Sequence, residues 1–177
     1  MFIDLLRSRR SVRQFEPRPV EPEKVDLLVE AALRSPSSRG FNPWEFVVVN
    51  DPETIKRLSQ AKPHGASFLA NAPLAVVVCA DPDKSDVWVE DVSIATLILH
   101  LAATDLGLGS CWIQLRKRNF DDSTPAGDFA AKVVGLRQGL VASAIMAIGY
   151  PLRQPAPHPE SSLQRDKVSV NRQGKRE

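Results

Sequence analysis

The sequence offers few groups that could do covalent chemistry unaided. Only two of its 177 residues are cysteines. Cys79 ends the run "PLAVVVC" and Cys111 lies in "GSCWI". Neither has a CxxC neighbour or a metal-ligand spacing, which excludes a thiolate-built metal site; a disulfide between the two stays open. His64, His100 and His158 share no spacing, and His100 lies on an apolar helical stretch, as a hydrogen-bonded core histidine would. No GxSxG elbow or P-loop occurs, and "LGLGS" lacks the GxGxxG spacing and follows a helical pattern instead of a strand. With no nucleophile or metal cluster in view, the hard chemistry of any reaction falls to a bound cofactor.

Charge excess is also missing. The formal net charge is +2 and the pI about 8.7. A nucleic-acid surface needs a stronger bias and a continuous basic stripe, so a small anionic ligand fits better. No apolar run reaches the roughly 18 residues of a membrane span. "MFIDLLRSRR" puts its apolar residues before its charges, the reverse of a secretory leader. The expected location is cytoplasmic.

What is present is an ordinary globular composition, 43% hydrophobic and 25% charged, in one domain with a tail. Residues 3–8 predict a short helix with Ile3, Leu5 and Leu6 inward. "VEPEKVDLLVEAALRSP" predicts a longer one, started by Pro22 and Glu23 and stopped at Ser35, with Val25, Leu28, Val29, Ala32 and Leu33 as its apolar stripe. "WEFVVVN" reads as a strand, followed by a helix from "DPE" to about Ala61. "PLAVVVCA" is a strand too continuously apolar for a one-sided sheet. A long helix runs from near Asp86 to the glycines at 107 and 109, with apolar residues most of the way round, as burial on nearly all sides requires. A second subunit is the natural cover for such a helix in so small a domain. Glu90 and Asp91 at its start read as dipole partners more readily than as an acid pair. "SCWIQL" and "LVASAIMAIGY" are further strands, with a weak helix near 127–135 between them. After residue 150 a proline-rich arm, 151–177, ends in "KVSVN", a lone strand that needs another sheet edge.

Three features point to an anionic, planar ligand. Arg9, Arg10, Ser11 and Arg13 in "RRSVRQF" supply forked donors and a hydroxyl suited to a phosphate, although such a cluster equally forms a solvated face. "SPSSRGFNPW" places Pro36, Ser37, Ser38 and Asn42 in a stiff loop between helix and strand. Gly149 in "AIGYP" leaves room for a flat ring to approach the backbone.

In this order, "RRSVRQF", "ALRSPSSRGFNPWEFVVVN", "WVEDVSIATLILHLAATDLGLGSCWIQLRKR" and "AIGYP" resemble the FMN-dependent nitroreductase family, its short members most closely. The resemblance covers nearly the whole chain. It implies an α+β fold, a mostly antiparallel central sheet flanked by helices in three layers. It also implies an intertwined homodimer that exchanges C-terminal strands and holds FMN at its interface. Residues 1–150 would form the FMN-binding domain, and 151–177 the arm packing on the partner. Arg9, Arg10 and Ser11 would hold the phosphate and ribityl chain, and Arg13 the flavin edge near N1. Pro36, Ser37 and Ser38 would line the ring from the neighbouring subunit. Asn42 stands where many members have Gln, and Gly40 where many have Asn. Gly149 would pass beside the ring near N5, and Arg165 would add a charge to the phosphate. Arg116 and Arg118 read as solvent-facing.

The implied activity is a ping-pong hydride transfer from NADH or NADPH through flavin N5 to a nitroaromatic, quinone or similar small acceptor. Alternatives are a relative that dehalogenates or dehydrogenates one metabolite, and a non-catalytic FMN-binding or storage protein. Neither a nucleic acid nor a membrane is implied as partner.

Overall fold

The computed structural model describes residues 1–174. In chain order it contains α1 (Phe2–Ser8), α2 (Pro22–Leu33), β1 (Trp44–Val49), α3 (Pro52–Leu58), β2 (Leu74–Ala80), α4 (Trp88–Asp105), β3 (Gly109–Gln114), α5 (Ala126–Val134) and β4 (Val141–Gly149). The four strands form one antiparallel sheet in the order β1-β2-β4-β3. This is the α+β arrangement expected.

Period-2 alternation divides β2 between two cores. Ala75, Val77 and Cys79 face a layer made by α3, α5 and the turn at Ser67–Asn71, with Ile55, Leu58, Leu69 and Ala130. Leu74, Val76, Val78 and Ala80 face α2 and α4, with Leu28, Ala32, Val92, Ala95 and Leu99. All seven residues of β2 are therefore buried, which accounts for its unbroken apolar run. The register between β2 and β4 shifts at Val78/Cys79, leaving Ser143 unpaired with β2. Its carbonyl instead accepts from the Leu115 and Arg116 N–H groups, each at 3.1 Å. Cys79 and Cys111 are free thiols on β2 and β3 with β4 between them, about 10 Å across the sheet, which rules out a disulfide. Burial pushes the Cys79 thiol up to about 12.

Several expectations need correction. The helix after "DPE" ends at Leu58, short of Ala61, and the long helix begins at Trp88, two residues past Asp86. α1 forms, but Ile3 and Leu6 point outward and nothing on it is buried. Leu33 of α2 is likewise exposed. Within one chain, α4 turns Val92, Ala95, Thr96, Leu99 and Ala103 inward, while Ile94 and Leu97 are 39% and 48% exposed, on the face for which the expected cover is a second subunit. Helical periodicity identifies an apolar face; it does not identify what covers it. Together the outer faces of α1 and α4 line an apolar groove of about 490 Å³ containing Phe2, Leu5, Ile98 and Leu101.

The arm leaves β4 through Pro151 and runs exposed, with single helical turns at Glu160–Ser162 and Arg165–Lys167. "KVSVN" is not a strand within this chain, and Val168 is exposed. The last three residues of the predicted arm lie outside the described residues. Among the described residues, no helix is long and apolar enough to cross a membrane.

Candidate functional site

The "RRSVRQF" segment leaves α1 extended and is fastened at two places. Ser11 bridges Ser110 at the start of β3, and the Val12 N–H donates to the Ser110 carbonyl at 2.9 Å. Further on, the Leu152 N–H donates to Gln14 at 3.0 Å and the Glu16 N–H to Tyr150 at 2.9 Å. Val12 and Phe15 are buried between these clips. The extended backbone therefore turns Arg13 outward beside them, its guanidinium 5.8 Å from the centre of the Phe68 ring.

The cations of this segment lack carboxylate partners. Among the described residues, no ion pair involves Arg9, Arg10 or Arg13, whereas Arg7, Arg18, Arg34, Arg137 and Arg165 are each paired. Three guanidiniums in five residues without an internal counter-ion are a donor set suited to a multiply charged anion. Arg9 Nη1 does have a neutral partner, His100 Nε2 at 3.0 Å, and His100 Nδ1 meets the Ser110 hydroxyl. Burial and the nearby Arg9 charge push the imidazole down to about 4. His100 is thus hydrogen-bonded in the core, as its position on the helix implies.

Positive charge extends further than the motif. Lys62, outside every motif legible in the sequence, has its ammonium pushed down by burial and by the Arg118 charge. The Cys111 thiol, raised by burial, feels Arg13, Lys62 and a hydrogen bond from Ser11 in the opposite sense. No local pattern marks Lys62, because its neighbours Arg118 and Cys111 come from distant segments. Arg118 is exposed, as expected, while Arg116 is half-buried with its guanidinium 5.8 Å from the Trp88 ring.

The loop between α2 and β1 is stiff for reasons visible in its bonding. Ser37 Oγ donates to Asn42 Oδ1 and accepts from the Asn42 N–H, both at 2.8 Å. That ties up the Ser37 hydroxyl inside the loop and leaves the Asn42 amide NH₂ and the Ser38 hydroxyl as the groups a ligand could meet. Arg39, Gly40 and Asn42 adopt φ of +54°, +69° and +47°. This is the left-handed region that Gly and Asn tolerate, so either residue suits position 40. The loop is anchored to α4 by Asp91, 2% exposed, which accepts from the Ser38 N–H at 2.8 Å and from the Ser85 hydroxyl at 3.0 Å. Asp91 is therefore a loop anchor as well as a first-turn acid, and the exposed Glu90 does not share its site. At the two ends of the loop, the Ser35 hydroxyl and the Trp44 indole N–H are buried without a partner. Such groups favour a further partner or an ordered water.

Two of the expected site residues have close neighbours within the chain. A Cβ at Gly149 would stand 2.6 Å from Pro73 Cδ and 3.1 Å from Phe15 Cδ1. The missing side chain thus admits the protein's own Pro73 and Phe15. Arg165 is bound to Glu160 at 2.9 Å on the exposed arm and meets none of the N-terminal cations.

α4 carries both halves of the candidate site. The motif is tied to it through His100 and the loop through Asp91, nine residues apart (91 to 100), about 14 Å along the axis and roughly half a turn round it. One chain therefore holds the arginines and the serine loop on opposite flanks of the same helix.

Fold and site together define a three-layer α+β protein with a cationic, anion-seeking edge. The same architecture is seen in the FMN-dependent nitroreductase of Clostridium difficile R20291, at a TM-score of 0.94 and 43% identity over 96% of this chain and 99% of that one. The profile of the nitroreductase family matches residues 6–62 and 60–150, and the chain belongs to that family. A curated protein of Archaeoglobus fulgidus named "Putative NADH dehydrogenase/NAD(P)H nitroreductase" is 35% identical over 153 residues, 84% of each chain. Iodotyrosine deiodinase 1 of Rattus norvegicus is 44% identical over 59 residues, 33% of this chain and 21% of its own length.

Proposed function

We propose that the protein is an FMN-dependent NAD(P)H oxidoreductase that reduces nitroaromatics, quinones or related small acceptors. The observation that carries this reading is the trio Arg9, Arg10 and Arg13, without a carboxylate partner among the described residues and clipped by backbone bonds to β3 and to the end of β4 in a chain of this family. The fit to FMN rests on that donor set and on the unsatisfied polar atoms at the ends of the serine loop. Bound FMN supplies hydride acceptance and return at N5.

The chain's own residues bind, orient and tune. Arg9, Arg10 and Ser11 hold the phosphate and ribityl end. Arg13 stands at the ring edge, where a fixed cation favours the electron-rich form. Pro36, Ser38 and the Asn42 amide line the ring from the second copy, while Ser37 keeps Asn42 in place. Gly149 shapes the floor by letting Pro73 close on Phe15. Arg165 of the arm adds a charge to the phosphate, releasing its solvent-exposed pairing with Glu160 to do so.

A homodimer follows from the same reading. Its supports are the uncovered apolar faces of α1 and α4, the opposite-flank placement of the two half-sites, and an arm that, among the described residues, joins no strand of its own chain's sheet. In it, residues 1–150 act as the flavin domain and 151–177 as an arm lying on the partner.

The test is anaerobic titration of the purified, yellow protein with NADH and then NADPH, followed by a panel of nitro compounds, quinones and free flavins. A colourless protein that takes up no added FMN overturns the proposal, and bound flavin that neither nucleotide bleaches leaves a carrier. The deiodinase match favours reductive dehalogenation as a second reading, so a halogenated phenol belongs in the panel.

A further inference from the structure

We propose that His100 is the positioning residue of the anion clamp: a neutral imidazole whose Nε2 holds the Arg9 guanidinium in the pose that meets the ligand's phosphate. This inference rests on the flavin reading above.

Arginine only donates, so the 3.0 Å contact of Arg9 Nη1 with His100 Nε2 requires that nitrogen to be unprotonated. The ring proton then sits on Nδ1 and donates to the Ser110 hydroxyl. The bond order is therefore one-directional, from Arg9 to His100 to Ser110. Each part is buried or half-buried: His100 is 6% exposed and Ser110 1%. Ser110 is itself fixed, because its carbonyl accepts the Val12 N–H and its backbone bridges Ser11. The guanidinium is thus referenced to the same β3 residue that clips its own segment.

A carboxylate in place of the imidazole would also orient Arg9, but it would neutralise the charge that an anion needs. A neutral acceptor orients without neutralising. Burial and Arg9 itself keep the ring in that form at ordinary pH. Arg10, which has no such brace, is the freer of the two cations.

The probes are FMN and riboflavin, which share the ring and differ by the phosphate. Their dissociation constants are measured with the apoprotein by flavin-fluorescence quenching. The variants are His100→Asn, which keeps a polar atom near Ser110 but leaves Arg9 without an acceptor, and His100→Gln, whose Oε1 reaches the place of Nε2. We expect His100→Asn to reduce the preference for FMN over riboflavin by about tenfold, the loss of one charge-assisted bond. His100→Gln should stay within about threefold of the parent, and Arg9→Ala should reduce the preference so that adding His100→Asn changes it no further. Equal weakening of both flavins by His100→Asn, an unchanged preference, or the same loss in the Gln and Asn variants overturns the proposal. A parent protein that binds neither flavin refutes the cofactor reading itself, a result separable from the others because it appears before any substitution is made.

Discussion

The Tyr150 hydroxyl donates to the Glu21 carboxylate at 2.6 Å, joining the residue after β4 to the residue that opens α2. Arg18 pairs with the same carboxylate and lies over the Tyr150 ring, 3.8 Å from its centre. Lys24 reaches both the Tyr150 hydroxyl and the Leu106 carbonyl at the end of α4, each at 2.9 Å. One tyrosine thus joins α2, α4 and the exit of β4.

The Tyr150 hydrogen bond is the first cause that lowers the Glu21 carboxyl, to about 2 from its usual 4.5. The folded protein keeps Glu21 ionised where the unfolded chain would take up a proton. Its contribution to stability is present above about 4.5 and is lost as pH falls toward about 2. Tyr150→Phe should raise the Glu21 pKa and flatten that part of the stability profile. Urea midpoints across this range, for parent and variant, check it; parallel profiles refute it.

Arg13→Ala should leave FMN bound but harder to reduce. Loss of one partly solvated cation at the ring edge is expected to lower the two-electron potential by about 30 mV, a tenfold change in equilibrium. Spectroelectrochemical titration reads the shift, and an unmoved potential removes Arg13 from the ring edge.

Gly149→Ala should destabilise by about 1–3 kcal/mol, since the added methyl meets the Pro73 ring. Pro73→Ala on that background removes the Cδ and Cγ atoms it strikes and should recover part of the loss. Denaturation of the four members of the cycle checks this; strict additivity would mean that the contact is not the cause.

Leu97→Glu, on the outer face of α4, should leave the far-UV circular dichroism intact and weaken dimerisation by about 100-fold, the effect of roughly 3 kcal/mol for burying an unpaired charge. Removing residues from Ser162 onward should weaken both dimerisation and flavin retention. Light scattering with the absorbance spectrum reads both; a stable yellow dimer after truncation excludes arm exchange.

Local signals in the sequence were faithful where one segment determines its own structure. Pro22 at the first turn and Pro36 beyond the last bound α2 as expected, and the continuous apolar run of β2 reflects burial on both faces of the sheet. The arginine cluster was visible because its members are adjacent. What escaped were relationships between distant segments. Lys62 gains its meaning from Arg118 and Cys111, Asp91 from Ser38, and Gly149 from Pro73. The outward side chains of α1 escape for another reason, while the bare face of α4 is the one for which a second subunit is the expected cover. An apolar stripe states that a surface is buried somewhere, and in a single chain that cover is absent for Ile94 and Leu97.

The clip that fastens Val12 to Ser110, and Gln14 and Glu16 to residues 150–152, also sets a schedule for the nascent chain. The clip partners Ser110, Tyr150 and Leu152 are translated more than ninety residues after the segment they hold. The fastening at Gln14 and Glu16 cannot close until β4 and residues 150–152 have been made, so the second half of the clip is the late one. A product terminated before residue 140 would carry the whole charged motif and could fasten it only at Ser110 and His100, leaving Gln14 and Glu16 without their partners.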